Sequence, residues 1–145
     1  MKLIIAVILL LALGSTYGYH TLTPSNSEGM LNHLQGNNYN IYVLFFHDSS
    51  ETDKDAQNTY EDIDGRLGSI LDANDELFYA KIDHNNPEFR KLEQVLGVTS
   101  APAVLVVVHG KGVWLSGNNS YLMTERLNDF IPAFKKSSAK HSNPY

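Results

Sequence analysis

Residues 47–55, HDSSETDKD, place one imidazole, three hydroxyls and four carboxylates directly after the apolar run IYVLFF. Imidazole, hydroxyl and acid are the ingredients of nucleophilic and acid–base chemistry. An unassisted serine hydroxyl is a weak nucleophile, however, and no Ser, His and acid spacing here has the form of a known nucleophile motif. The same residue types also start helices. Ser50 with Asp53 three positions on fits a pattern in which the serine oxygen accepts from a backbone N–H, while Glu51, Asp53 and Asp55 crowd the positive end of the helix dipole. The composition and spacing favour capping over catalysis for this stretch.

The chain of 145 residues contains no cysteine, which excludes disulfide staples, thiol catalysis and thiolate metal sites. Its start, MKLIIAVILLLALGSTYGYH, has one lysine, an apolar run from Leu3 to Leu13 and then small residues. This is the layout of a secretory signal peptide, the run being too short to span a bilayer. Cleavage is expected after Gly18 in preference to Gly14. The 127 residues then remaining suit a single domain, and no other apolar stretch approaches membrane length, so the mature chain is expected to lack a membrane span. Formal net charge is −5, and −6 once Lys2 is lost, which argues against nucleic acid or anionic lipid as a partner. The triplet NNS makes Asn118 a candidate glycosylation site.

The elements that would carry the 47–55 stretch can be read from pattern. Ser25 with Glu28 is a capping box ahead of Met30, Leu31 and Leu34, predicting a first helix. NIYVLFFH (40–47) and ELFYAKID (76–83) read as strands buried on both faces. Between them Ala56, Tyr60, Ile63, Leu67, Ile70 and Leu71 mark a helix that Gly65 and Gly68 are expected to bend or weaken. Asn86 as N-cap, Pro87, an inner face of Phe89, Leu92, Val95 and Leu96, and Gly97 as the stop define another helix. APAVLVVVHGKGVWL predicts two strands joined by a turn at His109 to Gly112, and a last helix runs to Phe134 with Pro132 breaking or kinking it. Residues 135–145 are expected to be a disordered polar tail. The order is helix, strand, helix, strand, helix, hairpin, helix. Two strands joined through a helix imply a parallel pair, and the hairpin adds antiparallel strands, giving an α/β mixed sheet flanked by helices.

With these elements in place, YVLFFHDSSETDK, FYAKIDHNNPEF and LGVTSAPAVLVVVHGKG together resemble a thioredoxin-fold, protein disulfide isomerase-like domain across residues 19–134. The resemblance implies a central mixed sheet and a cis-proline at Pro102. It also places the two redox cysteines of that family on Ser50 and Asp53, and the buried carboxylate that assists proton transfer on Leu44, so both parts of the redox machinery are missing. In that fold the strands ending at His47 and Asp83 are neighbours, and His47, Asp48, Asp83 and His84 are a conceivable cation or proton-shuttle set. No tight His spacing supports a metal there, and no metal or cofactor is expected.

The function implied is a redox-inactive, non-enzymatic, secretory-pathway protein, lumenal or secreted, acting as chaperone or adaptor. It would bind polypeptide by strand addition in the cis-proline groove formed by Phe46, His47, Ser100, Ala101 and Pro102. An alternative is a structural subunit of a lumenal or extracellular complex, because LFYAKIDHN and TSAPAV are also similar to the lumenal domains of oligosaccharyltransferase subunits. Non-redox chemistry at Ser50 or His47 ranks last.

Overall fold

The apolar runs become the strands of one mixed sheet. A computed structural model of the protein describes residues 19–36, 40–108, 111–115 and 120–142. The signal segment, Asn118, His109 and Gly110 of the turn and the last three residues lie outside them. In chain order the elements are β1 (His20–Leu22), α1 (Ser27–Leu34), β2 (Ile41–His47), α2 (Lys54–Asp72), β3 (Phe78–Asp83), a 3-10 turn (Pro87–Phe89), α3 (Arg90–Leu96), β4 (Ala103–Val108), β5 (Lys111–Leu115) and α4 (Ser120–Ser142). The strand order is β1-β3-β2-β4-β5. β3 runs parallel to both β1 and β2, whereas β4 is antiparallel to β2 and to β5.

β2 and β4 lack polar–apolar alternation because helices cover both faces of the sheet. On one face α2 and α4 lay Ile63, Leu67, Leu71, Met123, Leu127 and Ile131 against Val43, Phe45, Val104 and Val106. On the other, α1 and α3 lay Met30, Leu31, Leu34 and Leu92 against Leu44, Phe46, Ile82 and Leu105. With each fully buried Phe or Leu contributing about 1.5–3 kcal/mol, the two layers hold a chain that has no disulfide.

Several elements differ from the pattern reading. β1 escapes it because three residues are too few to show a period; it is defined by pairing with the β3 edge, where His20 stacks on Phe78 at 4.5 Å. The α1 cap is Asn26, accepting from Gly29 N at 2.8 Å, not Ser25. α2 runs unbroken through Gly65 and Gly68. Val95 is 56% exposed, and the inner face of α3 carries Glu93 in its place. α4 continues through Pro132 to Ser142, so residues 135–142 are helical and not a disordered tail. Pro132 removes one backbone donor, but Ile131 is buried just before it and Lys135 bonds Asn74 Oδ1 at 2.7 Å and Glu76 Oε1 at 2.5 Å, tying the later turns to the connection between α2 and β3.

Candidate functional site

Parallel strands β2 and β3 end at the same edge, with His47 level with Asp83, and the ladder closes with His84 N donating to His47 O at 2.6 Å. β4 starts there in the opposite sense, Ala103 pairing with Phe46. The turn before it contains the cis bond between Ala101 and Pro102. In open α/β sheets the carboxyl ends of parallel strands are where ligands bind, since loops diverge there and leave a crevice.

The polar loop after β2 is bonded largely to itself. Ser50 N and Oγ donate to Asp48 Oδ1 at 2.9 and 2.6 Å. Ser49 N and Oγ donate to Asp83 Oδ1 and Oδ2 at 3.0 and 2.5 Å, and Asn85 N adds a third bond to Asp83. Asp53 N donates to Glu51 Oε1 at 3.0 Å. The N-cap of α2 is Asp53, whose Oδ2 accepts from Ala56 N at 3.2 Å. Ser50 is therefore not the cap; the helix begins three residues later because its hydroxyl is turned back on Asp48.

These bonds also set the acidities. The Ser50 hydroxyl, then its amide, hold the Asp48 carboxyl below its ordinary range. Burial pushes Asp83 upward, but the Ser49 hydroxyl and the amides of Ser49 and Asn85 outweigh it, and the net shift is downward. Carboxylates made less basic are poor proton acceptors, so neither serine gains an activating base. Leu44, where the resemblance would put a proton-transferring carboxylate, is fully buried among apolar side chains.

The residues expected to form the groove separate. Phe46 is fully buried in the layer facing α1 and α3, so its ring is not a groove contact, a consequence of strand alternation. His47 points to the opposite face, half-buried beside Phe45 and edge-on to Tyr60 at 6.5 Å. Burial, and then the charge of Lys81, depress its pKa; Asp83, Asp64 and Asp48 pull the other way without reversing the shift. Ser100 is exposed, and Ala101 and Pro102 are half-buried. His47, Asp48, Asp83 and His84 share the edge, but Asp83 and Asp48 are engaged by serines and His84 by Glu93. Among the described residues no group of three or more His, Cys, Asp or Glu side chains could hold a metal ion.

Pattern reading missed Glu93. Its side chain is only 7% exposed, and it bonds His84 Nδ1 through Oε2. Beside this pair is a cleft of about 350 Å³ lined by Asp48, His84, Asn85, Arg90, Glu93, Gln94 and Val98. The signal was present: Phe89, Leu92 and Leu96 occupy i, i+3 and i+7, and Glu93 is the i+4 position of that same face.

No family model and no curated protein matches the sequence. Solved structures do match. Spinach chloroplast thioredoxin f, short form, superposes with a TM-score of 0.61 at 13% identity, covering 82% of this chain and 95% of its own. Chlamydomonas reinhardtii thioredoxin f2 gives 0.60 at 14%, covering 79% and 98%, and Fasciola hepatica thioredoxin 0.57 at 17%, covering 76% and 97%. The chain thus has a thioredoxin-like fold, without any cysteine. Thiol–disulfide exchange requires a thiolate on the attacking residue, and this chain has no cysteine to supply one.

Proposed function

We propose that the protein is a non-catalytic polypeptide-binding module of the secretory pathway, holding an extended segment against the turn at Ser100, Ala101 and Pro102. One observation carries this reading. At the carboxyl edge of the sheet the acids and hydroxyls are bonded to one another, whereas the 100–102 turn leaves Ser100 exposed and Ala101 and Pro102 half-exposed. A chain laid along that turn would be held by main-chain hydrogen bonds, as in strand addition, with neighbouring side chains supplying specificity. The secretory assignment rests on the apolar run Leu3–Leu13 and the small residues after it.

The test is NMR titration with a permanently unfolded, carboxymethylated polypeptide. Weak binding centred on residues 98–103, little changed by salt and abolished by Ala101→Trp, is expected. Binding unchanged in Ala101→Trp, or turnover of a disulfide substrate by the pure protein, contradicts the reading. Purification from the native source adds two checks. A mature N-terminus at Tyr19 supports the secretory route and an intact Met1 opposes it; a fixed partner in stoichiometric amount would make the protein a structural subunit.

A further inference from the structure

We propose that the cleft between α3 and the loops following β2 and β3 is a specificity pocket for an organic cation, the ammonium or guanidinium group of a basic side chain. This rests on the polypeptide-binding reading and names what the bound segment would carry. A buried carboxylate is costly unless its oxygens are paired. Glu93 is more than nine-tenths buried, yet only Oε2 is engaged, by His84 Nδ1, and Oε1 has no hydrogen-bond partner among the described residues. A carboxylate oxygen accepts, so in this bond His84 Nδ1 donates to Glu93 Oε2, and Oε1 keeps its acceptor capacity. Across the cleft, both bonds from Ser50 fall on Asp48 Oδ1, so Oδ2 keeps its acceptor capacity. Two carboxylate acceptors, Glu93 Oε1 and Asp48 Oδ2, thus belong to the lining of a space within the size range of small-ligand sites.

The wall carrying Glu93 is braced before any ligand arrives. Glu93 O accepts from Val98 N at 2.8 Å, and Leu92 N, one residue earlier, donates to Ser27 Oγ of α1 at 2.9 Å. Val98 lines the cleft and lies two residues before Ser100, so a segment on the 100–102 turn passes near its mouth. Arg90 is the one arginine or lysine in the lining. It is exposed and makes no ion pair among the described residues, which makes it a water-screened charge, whereas Glu93 acts from the buried wall. The net charge of −5 favours encounter with basic segments.

The probe is N-acetylarginine amide, with N-acetylcitrulline amide as its neutral near-isostere, each titrated into the protein by NMR. Both are too small to need the 100–102 turn, so the pocket is tested independently of polypeptide binding. The arginine derivative is expected to shift the amides of Asn85, Glu93, Gln94 and Val98 and to bind about tenfold more tightly than the citrulline derivative, as loss of one charge-assisted contact implies. High salt should reduce that advantage only in part, because a contact to the buried Glu93 is screened less than one between exposed charges. Glu93→Gln should abolish it. Because that change is in a buried site, Asp48→Asn, at a less buried position, serves as a second variant and should weaken the arginine derivative severalfold. Arg90→Gln should strengthen it. Equal binding of the two derivatives, shifts confined to other surfaces, or weaker binding in Arg90→Gln overturns the proposal. An unfolded polypeptide that binds wild type but not Ala101→Trp, and is indifferent to replacing its arginines by citrulline, would refute the pocket while leaving the function intact.

Discussion

The hydroxyl of Ser27 caps a helix to which it does not belong, and its removal gives the sharpest test of how α3 is held. α3 starts at Arg90, and the residue in its own N-cap position, Phe89, makes no side-chain cap bond. A helix N-terminus leaves several N–H groups without intrahelical partners, and here one of them, Leu92 N, donates to Ser27 Oγ at 2.9 Å. The same hydroxyl donates to Glu88 O at 2.7 Å. Ser27 is 5% exposed and Leu92 is fully buried, so in Ser27→Ala water cannot readily replace the bond to Leu92. An orphaned buried donor costs about 1–3 kcal/mol. The Glu88 carbonyl belongs to an exposed residue and can regain water, leaving only a net bond of about 0.5–1 kcal/mol to lose. The sum is about 1.5–4 kcal/mol, or a melting temperature lower by roughly 6–16 °C at about 4 °C per kcal/mol. Urea denaturation should show a lower midpoint with an unchanged slope, and amide exchange at Leu92 should accelerate. Ser25→Ala, which removes the cap suggested by the capping-box pattern, should stay within about 0.5 kcal/mol, while Asn26→Ala at the observed cap should cost about 1 kcal/mol. A loss below about 0.5 kcal/mol for Ser27→Ala, or a greater loss for Ser25→Ala, would falsify the cross-helix cap.

Gly65→Ala and Gly68→Ala should each raise stability by about 0.5–1 kcal/mol by denaturation, because both are in the interior of α2 and an added Cβ meets nothing within 4 Å. Gly97→Ala should do the reverse by about 1 kcal/mol, since its φ of 76° closes α3 in the left-handed region. Asp53→Ala should cost about 1 kcal/mol as the α2 cap, against less than about 0.5 kcal/mol for Ser50→Ala, and equal losses would show the helix start to be misplaced. NMR titration should place the His47 midpoint below 6.5. Because the unfolded chain then binds the proton more readily, this contribution to stability is complete above the unfolded pKa and is lost as pH falls through the folded one, a decline that His47→Phe should flatten between about pH 7 and 5.

What could be read in advance followed from how local each cause is. IYVLFF and AVLVVV announce strands because a doubly covered sheet needs apolar residues at every position, and Asn86, Pro87 and Gly97 announce the bounds of their helical segment through backbone geometry alone. Asp53 was harder. Ser50 and Asp53 are both good caps, and the choice depends on the Asp48 carboxylate drawing the Ser50 hydroxyl away. Ser27 illustrates a partner that is distant in sequence, since its bonds reach residues more than sixty positions on, where no local pattern extends. Val95 and Glu93 were exchanged for a third reason: residue type outweighed position, although the spacing of Phe89, Leu92 and Leu96 puts Glu93 inward. Tertiary contact also explains α4, whose turns beyond Pro132 are anchored by Lys135 to Asn74 and Glu76.

Hydrogen-bond accounting separates the two parts of the sheet's carboxyl edge. The 47–55 loop has the residue types of an active site, but Asp83 accepts three bonds, Asp48 Oδ1 accepts two from Ser50, and Asp53 caps α2, so its hydroxyls are bonded to carboxylates and only Asp48 Oδ2 is left toward the cleft. Such a loop gains rigidity and loses reactivity, because a carboxylate stabilised by donors is a weaker base and a serine bonded to it is no better a nucleophile. Glu93 is in the opposite condition, a buried carboxyl with one oxygen unmatched among the described residues. Burial makes an unmet acceptor more demanding, since the surrounding low dielectric strengthens whatever bond completes it. Reactivity suggested by composition and capacity shown by geometry therefore fall on different residues of the same edge. The difference is open to measurement: removing the Ser50 hydroxyl should change loop dynamics and leave cation binding in place, whereas Glu93→Gln should do the converse.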